Sequence, residues 1–299
     1  MAGSSVGIGV LYGLLAALIW GAQLTMSRAG VTVGLKGFDV AAIRCGGAAV
    51  VMLPWFVMHR PYGRGAGRTS WPHALGLALA AGPIFVFATM AGFRLAPLPH
   101  GAVLQPATMV LASMLLSALL VGERLRPLRL LGAAVIVLGL ALISGPALLQ
   151  GDRLTPLGDA FFMIAGLLFA IYSVLQKRWS VGPMPAAGAV AIIAGVIYIP
   201  SYLALVGVGR IVALSWPMLI AQFLVQGVLT GFVSLVAFGR AIHILGVGRA
   251  SLFPALVPVA AIILGIPIVG EFPTLLQTVG LGVVTAGLLV ALSAGSRPG

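Results

Sequence analysis

Ten long apolar runs constrain this chain more than any other feature. They fall near residues 8–28, 38–58, 74–94, 99–120, 128–148, 157–177, 187–207, 216–239, 249–269 and 275–294. A helix crossing the hydrocarbon core of a bilayer needs about 20 mostly apolar residues. In lipid each backbone N–H and C=O must be satisfied inside the segment, so runs of this length read as transmembrane helices. Barrel strands are shorter, about ten residues, and alternate in polarity, which these runs do not. The breaks carry proline, glycine and charge, as in "HRPYGRGAGRTSWPH", "GERLRP", "QGDRLTP" and "VGEFP".

Composition narrows the class further. Only 7% of the 299 residues are charged and 61% are hydrophobic, against roughly 25% charged in soluble domains. The expected fold class is therefore an all-α polytopic membrane protein, with the lipid bilayer as its first partner. The net charge of +12 raises the question of nucleic acid. The basic residues, however, sit in short loops between apolar runs and form no continuous face, so no nucleic-acid partner is expected. With a cytoplasmic N-terminus, Arg60, Arg64, Arg68, Arg124, Arg126, Arg129, Lys177, Arg178, Arg240, Arg249 and Arg297 fall inside. Arg28, Lys36, Arg94, Arg153 and Arg210 fall outside, while Arg44 lies within the second run and reads as snorkelling to the outer interface. The positive-inside rule thus places both termini in the cytoplasm of a multi-pass inner-membrane protein. The start "MAGSSVGIGV" has no basic segment, so no cleaved signal peptide is expected.

Enzymatic chemistry finds little support. Cys45 is the one cysteine, which excludes an internal disulfide or a cysteine-built metal cluster. "GSSVG" at 3–7 matches a nucleophile-elbow pattern but lacks the strand-to-helix setting that pattern requires. Neither a Walker A sequence nor H-E-x-x-H occurs. No metal, cofactor or catalytic residue is expected.

A repeat organises the chain. Val-Gly-Glu occurs at 121–123 and again at 269–271, an offset of 271 − 123 = 148 residues. Pro106 recurs at the same offset as Pro254. Gly132 and Gly139 recur as Gly280 and Gly287. Glu123 and Glu271 are five runs apart. Five is odd, so the two lie at opposite faces, the mark of two inverted five-helix repeats. The halves are read as residues 1–150 and 151–299. Each glutamate precedes an apolar helix, where a carboxylate can satisfy free N–H groups and the positive end of the helix dipole. Glu123 and Glu271 are accordingly expected to be structural, holding the turns that close each half, with gating or proton coupling as the alternative.

Ten helices in two inverted halves, a Trp in the first run, "AAIR" early in the second and a Gly-Glu turn closing each half together resemble the EamA-type branch of the drug/metabolite transporter (DMT) superfamily. That branch includes YddG-like amino-acid and aromatic-compound exporters. The resemblance implies that helices 1, 3, 4, 6, 8 and 9 line a central cavity while 5 and 10 lie at the periphery. The chain departs from the superfamily's small multidrug pumps, because residues 8–28 contain no acid.

Polar and aromatic residues at depth are the candidates for substrate contact. Trp20 and Gln23 share a face of the first helix. Tyr172 and Gln176 lie at i, i+4 in the sixth, where "GLLFAIY" echoes "GLLAALIW" around Trp20. Gln222, Gln226 and Thr230 form a stripe in the eighth; facing lipid would be costly, so they face protein or water. Phe85 and Met90 add apolar lining from the third helix. Gln105 and Phe253 precede Pro106 and Pro254, where proline removes a helix hydrogen bond and makes a hinge. His100 is a weaker candidate at the cavity entrance. Packing or an interhelical bond is the competing reading for each. The expected function is secondary transport by alternating access, exporting amino acids, aromatic or apolar ones included, with a monomer sufficient. Export of flat cationic drugs held by Trp20, Tyr172 and Phe253 through cation–π contact is the alternative, and an intramembrane enzyme or receptor the alternative of another class.

Overall fold

The computed structural model describes residues 2–63, 67–269 and 272–293; Gly270 and Glu271 lie outside them. Among the described residues, ten helical segments are long and apolar enough to cross a membrane: span 1 (Val6–Thr32), span 2 (Gly37–His59), span 3 (Trp71–Leu95), span 4 (His100–Val121), span 5 (Pro127–Ser144), span 6 (Thr155–Arg178), span 7 (Pro183–Leu205), span 8 (Trp216–Leu245), span 9 (Val247–Ile268) and span 10 (Leu275–Ser293). Large apolar side chains such as Leu11, Leu18, Val50, Leu119 and Leu289 are exposed, whereas Ser113, Ser173, Gln176, Gln222 and Gln226 are buried. Polar groups inside and leucines outside are what a lipid solvent selects.

Glycines decide how closely the spans approach. Spans 5 and 10 run antiparallel, because Gly132 meets Gly287 and Ala291 while Gly139 meets Gly280 and Val284. A Cβ at Gly132 would lie 2.6 Å from the Gly287 carbonyl oxygen, and one at Gly287 would lie 2.9 Å from that of Gly132. The repeat-matched glycines therefore face each other in one self-complementary seam, the contact a two-fold relation between inverted halves requires. Spans from different halves also pair elsewhere. Span 1 runs beside span 9, with Gly21 against Ala260 and the Thr25 hydroxyl donating to Ala261 O at 3.1 Å. Span 4 runs beside span 6, with Gly166 against the backbone of Gln105. Spans 2 and 8 touch at Gly47 and Gly227.

Three spans are less regular than their hydropathy suggests. Span 3 is broken into helices Trp71–Ala81 and Pro83–Leu95, because Pro83 has no N–H to continue the ladder. Span 8 contains a π-helical stretch at Phe223–Val233. Span 9 begins with a short helix at Val247–Ala250, passes through a 3-10 turn at Phe253–Leu256 and resumes as Val257–Val269. Pro106 and Pro254 were expected to act alike. Instead Pro106 lies inside the uninterrupted helix Leu98–Val121, while Pro254 lies in the 3-10 turn.

At the start of span 2, Asp39 is fully buried and fully engaged. It accepts from Lys36 N at 2.7 Å, Tyr202 OH at 2.6 Å and Arg210 Nε at 2.7 Å. A buried carboxylate is tolerated when its lone pairs are used in this way. It pins the connection between spans 7 and 8 to span 2.

Candidate functional site

Five rings meet where spans 1, 3, 6 and 8 converge. Phe169 is at their centre, 5.6 Å from Trp20, 5.5 Å from Phe85, 5.4 Å from Tyr172 and 5.6 Å from Phe238 between centroids. Trp20 also lies 5.3 Å from Phe238. These separations suit edge-to-face and tilted aromatic packing. Trp20 and Phe85 are half-buried, while Phe169, Tyr172 and Phe238 are buried. The cluster is thus a wall with two accessible rings and three behind them.

Behind the wall the polar groups lack partners. The Tyr172 hydroxyl has no hydrogen-bond partner in the protein, and neither atom of the Gln176 amide has one. Gln176 is fully buried, with its Nε2 2.6 Å from where a Cβ on Gly239 of span 8 would be, not at the solvated helix end beside Lys177. An orphaned buried polar group costs about 1–3 kcal/mol, so this arrangement favours any rearrangement that wets or pairs them.

The span 8 stripe resolves differently. Gln222 Nε2 donates to Met26 O at 2.8 Å. Gln226 Nε2 donates to Ser27 Oγ at 2.9 Å and Gln23 O at 3.3 Å. The amides tie span 8 to span 1 through their nitrogens, and the Oε1 atom of each is left without a partner. Gln23, Met90 and Gln105 are half-buried. Met90 of span 3 packs on the start of span 2, with its Sδ 2.9 Å from where a Cβ on Gly37 would be. Phe253 belongs elsewhere. It is fully buried in a second core with Ala17, Val103 and Val110, and its ring closes on Gly13. Trp20, Tyr172 and Phe253 therefore form no single cation–π box, since Phe253 is separated from the ring cluster into another packing unit.

A group of interspan hydrogen bonds lies at the face carrying the 2–3, 4–5, 6–7 and 8–9 connections, here the basic face. Glu123 accepts from Val247 N at 2.7 Å and from Gly248 N at 2.8 Å. The expectation that it would cap the helix after its own turn is corrected: span 5 opens with Pro127, and the carboxylate instead caps span 9 of the other half. Gly246, at φ +84°, makes this approach possible, because a Cβ there would lie 2.7 Å from Glu123 Oε1. Nearby, Lys177 Nζ donates to His243 O at 3.3 Å, His243 Nε2 to Val181 O at 3.0 Å, and Arg178 to Leu120 O. These bonds stitch spans 4, 6, 8 and 9 together below the ring cluster. At the opposite face, His100 joins span 4 to span 6, while Thr25, Gln222 and Gln226 join span 1 to spans 9 and 8. The bonds from Glu123 and Lys177 that join spans 4 and 6 to spans 9 and 8 lie at the basic face. Glu271 lies outside the described residues.

A family profile described as the EamA-like transporter family matches residues 7–145 and again 156–293. The chain belongs to the EamA-like transporter family. Its two matched segments start 156 − 7 = 149 residues apart, and they are the two inverted repeats that the glycine seam joins. Trp20 of the first matched segment and Phe169 of the second touch, so the cluster joins the two repeats. Tyr172, the counterpart expected from "GLLFAIY", is one turn away. A solved crystal structure, titled only as that of a protein, is 18% identical with a TM-score of 0.75, covering 97% of this chain and 99% of its own; it shares the fold. No curated protein sequence matches significantly.

Proposed function

We propose that this transporter exports amino acids, aromatic or apolar ones included, across the inner membrane by alternating access. The observation that carries this reading is the ring wall around Phe169 with neutral, partly unpaired polar groups beside it. An aromatic or branched side chain finds apolar area on Trp20 and Phe85. A zwitterionic head needs donors and acceptors with no net counter-charge, and Gln23, Gln105, Tyr172 and Gln176 offer both. Alternating access would open the basic face by separating Glu123 from span 9, with the break at Pro254 as the bending point and Pro106 as its matched partner. The 11-to-5 excess of Lys and Arg supports a cytoplasmic basic face and cytoplasmic termini. Leu125→Cys in a Cys45→Ser background should then react with an impermeant maleimide only after lysis, and reaction on intact cells would reverse the orientation.

Export of flat cationic drugs remains the second reading, favoured by the same rings. Proteoliposome flux with a panel of amino acids and one dicationic drug separates the two. The expected result is uptake and countertransport of aromatic and large apolar amino acids. Movement of the dication alone would replace the first reading with the second.

A further inference from the structure

Arg129 sits in the first turn of span 5, two residues after Pro127 opens that helix. It is only 8% exposed, and its Nε is sealed from solvent without a hydrogen-bond partner. Its Nη1 lies 3.2 Å from where a Cβ on Gly248 of span 9 would be. Glu123 Oε2 lies 3.0 Å and Ser117 Oγ of span 4 lies 3.5 Å from the same point. Glu123 is already engaged there, with one backbone N–H of span 9 on each carboxylate oxygen. Arg249 and Arg126 are close enough to repel Arg129, and among the described residues Glu123 alone is close enough to attract it.

These circumstances all oppose a buried cation. A guanidinium taken out of water is costly unless counter-charge and hydrogen bonds replace the water. The first turn of a helix carries the positive end of its dipole, which disfavours a further positive charge. Arginine cannot relieve the cost by losing its proton. An anion with several acceptor oxygens offsets the burial, the dipole and the like charges together. Phosphate oxygens match the guanidinium fork, which takes them two at a time.

We propose that Arg129, flanked by Arg126 and Arg249, binds a phosphate group where spans 4, 5 and 9 meet at the basic face. That group is shared by free phosphate and by the phosphodiester of an anionic lipid, and the position admits both. Leu128 and Leu131 of the same helix are exposed, as lipid-facing side chains are, so headgroups of that leaflet lie beside the site. Arg124 and Leu125 on the 4–5 connection are exposed as well, which gives a soluble anion its approach. Basic pockets between helices at the cytoplasmic side suit lipid headgroups.

Position makes the site consequential. Arg129 belongs to the first half of the chain, and Gly248 and Arg249 belong to the second. A phosphate held between them adds a bridge beside the Glu123 bonds and offsets repulsion across the junction. It therefore favours the state in which the basic face is shut. That consequence rests on the alternating-access reading, whereas phosphate binding does not.

Thermal unfolding of the full-length protein tests the binding. One arm adds inorganic phosphate in detergent at constant ionic strength, and the other compares bilayer discs of phosphatidylglycerol with discs of phosphatidylcholine. The wild-type midpoint should rise in at least one arm. A rise with inorganic phosphate makes the free anion sufficient, and a rise with phosphatidylglycerol alone makes the headgroup the source. Arg129→Gln should weaken the response by about tenfold or more, the scale of losing a charge-assisted hydrogen bond. Arg129→Lys, which keeps the charge without the fork, should fall between the two. Arg124→Gln removes the same charge from an exposed position nearby and should respond as wild type does. Without phosphate or anionic lipid, Arg129→Gln should be at least as stable as wild type. A wild type indifferent in both arms overturns the proposal, and so do equal losses in Arg129→Gln and Arg124→Gln. An Arg129→Gln variant less stable by the same amount under every condition would make Arg129 a structural residue only. Spin-label distances across the basic face should shift toward closure when the anion is added. Distances that respond to substrate but not to the anion would refute the bridge while leaving alternating access standing, and distances fixed under every condition would refute alternating access itself.

Discussion

Glu123→Ala should open the basic face. The substitution strips the acceptor from two backbone N–H groups at the start of span 9, bonded at 2.7 and 2.8 Å. Hydrogen bonds to a charged group are worth more than neutral ones, and loss of a helix cap costs about 0.5–2 kcal/mol. Taking about 2 kcal/mol, the closed-to-open ratio should fall by roughly thirtyfold. Spin-label distances across the 4–5 and 8–9 turns would lengthen, and net flux would fall because one of the two end states is over-populated. Gly246→Ala should act in the same direction, since its Cβ would displace the carboxylate and its φ of +84° is strained for alanine. Pro254→Ala should alter the same distances more than Pro106→Ala, because only Pro254 lies at a break. Unchanged distances in Glu123→Ala would leave the carboxylate as a local staple without a part in closure.

Trp20→Ala should weaken substrate binding by about tenfold or more, the usual scale for removing an aromatic anchor. Trp20 is half-buried and touches Phe169 and Phe238, so the protein should still fold, and Trp20→Phe should recover most of the affinity. Phe253→Ala provides the contrast. Its ring is fully buried against Gly13, and the cavity left behind should cost about 3–5 kcal/mol of stability. Thermal unfolding should therefore separate the two variants: a large drop for Phe253→Ala and a small one for Trp20→Ala. Wild-type affinity in Trp20→Ala would return Trp20 to a packing role.

The ten spans and the inverted repeat were legible in the residues because both follow from one-dimensional quantities. A span is a length of apolar chain matched to the bilayer. The relation between halves is an offset and an odd count of crossings. The same offset marked Gly132, Gly139, Gly280 and Gly287, which turned out to face one another across the 5–10 seam. Trp20 was visible as a mid-span indole with no interfacial reason to be there.

What only the tertiary structure decided is which groups meet. Phe169 and Phe238 look like ordinary apolar residues of spans 6 and 8, and no spacing rule marks them. They join Trp20 only because inverted repeats bring spans 1, 6 and 8 together. Gln222 and Gln226 were rightly kept away from lipid, but whether an amide reaches a carbonyl of span 1 or a ligand depends on a few ångströms of helix approach. Glu123 shows the same limit. Its sequence position points to its own turn and the helix that follows, yet Pro127 leaves that helix one fewer donor, and span 9 brings two free N–H groups within 3 Å. Sequence periodicity reports which face of a helix avoids lipid; partner choice across the membrane is set by packing between segments more than a hundred residues apart.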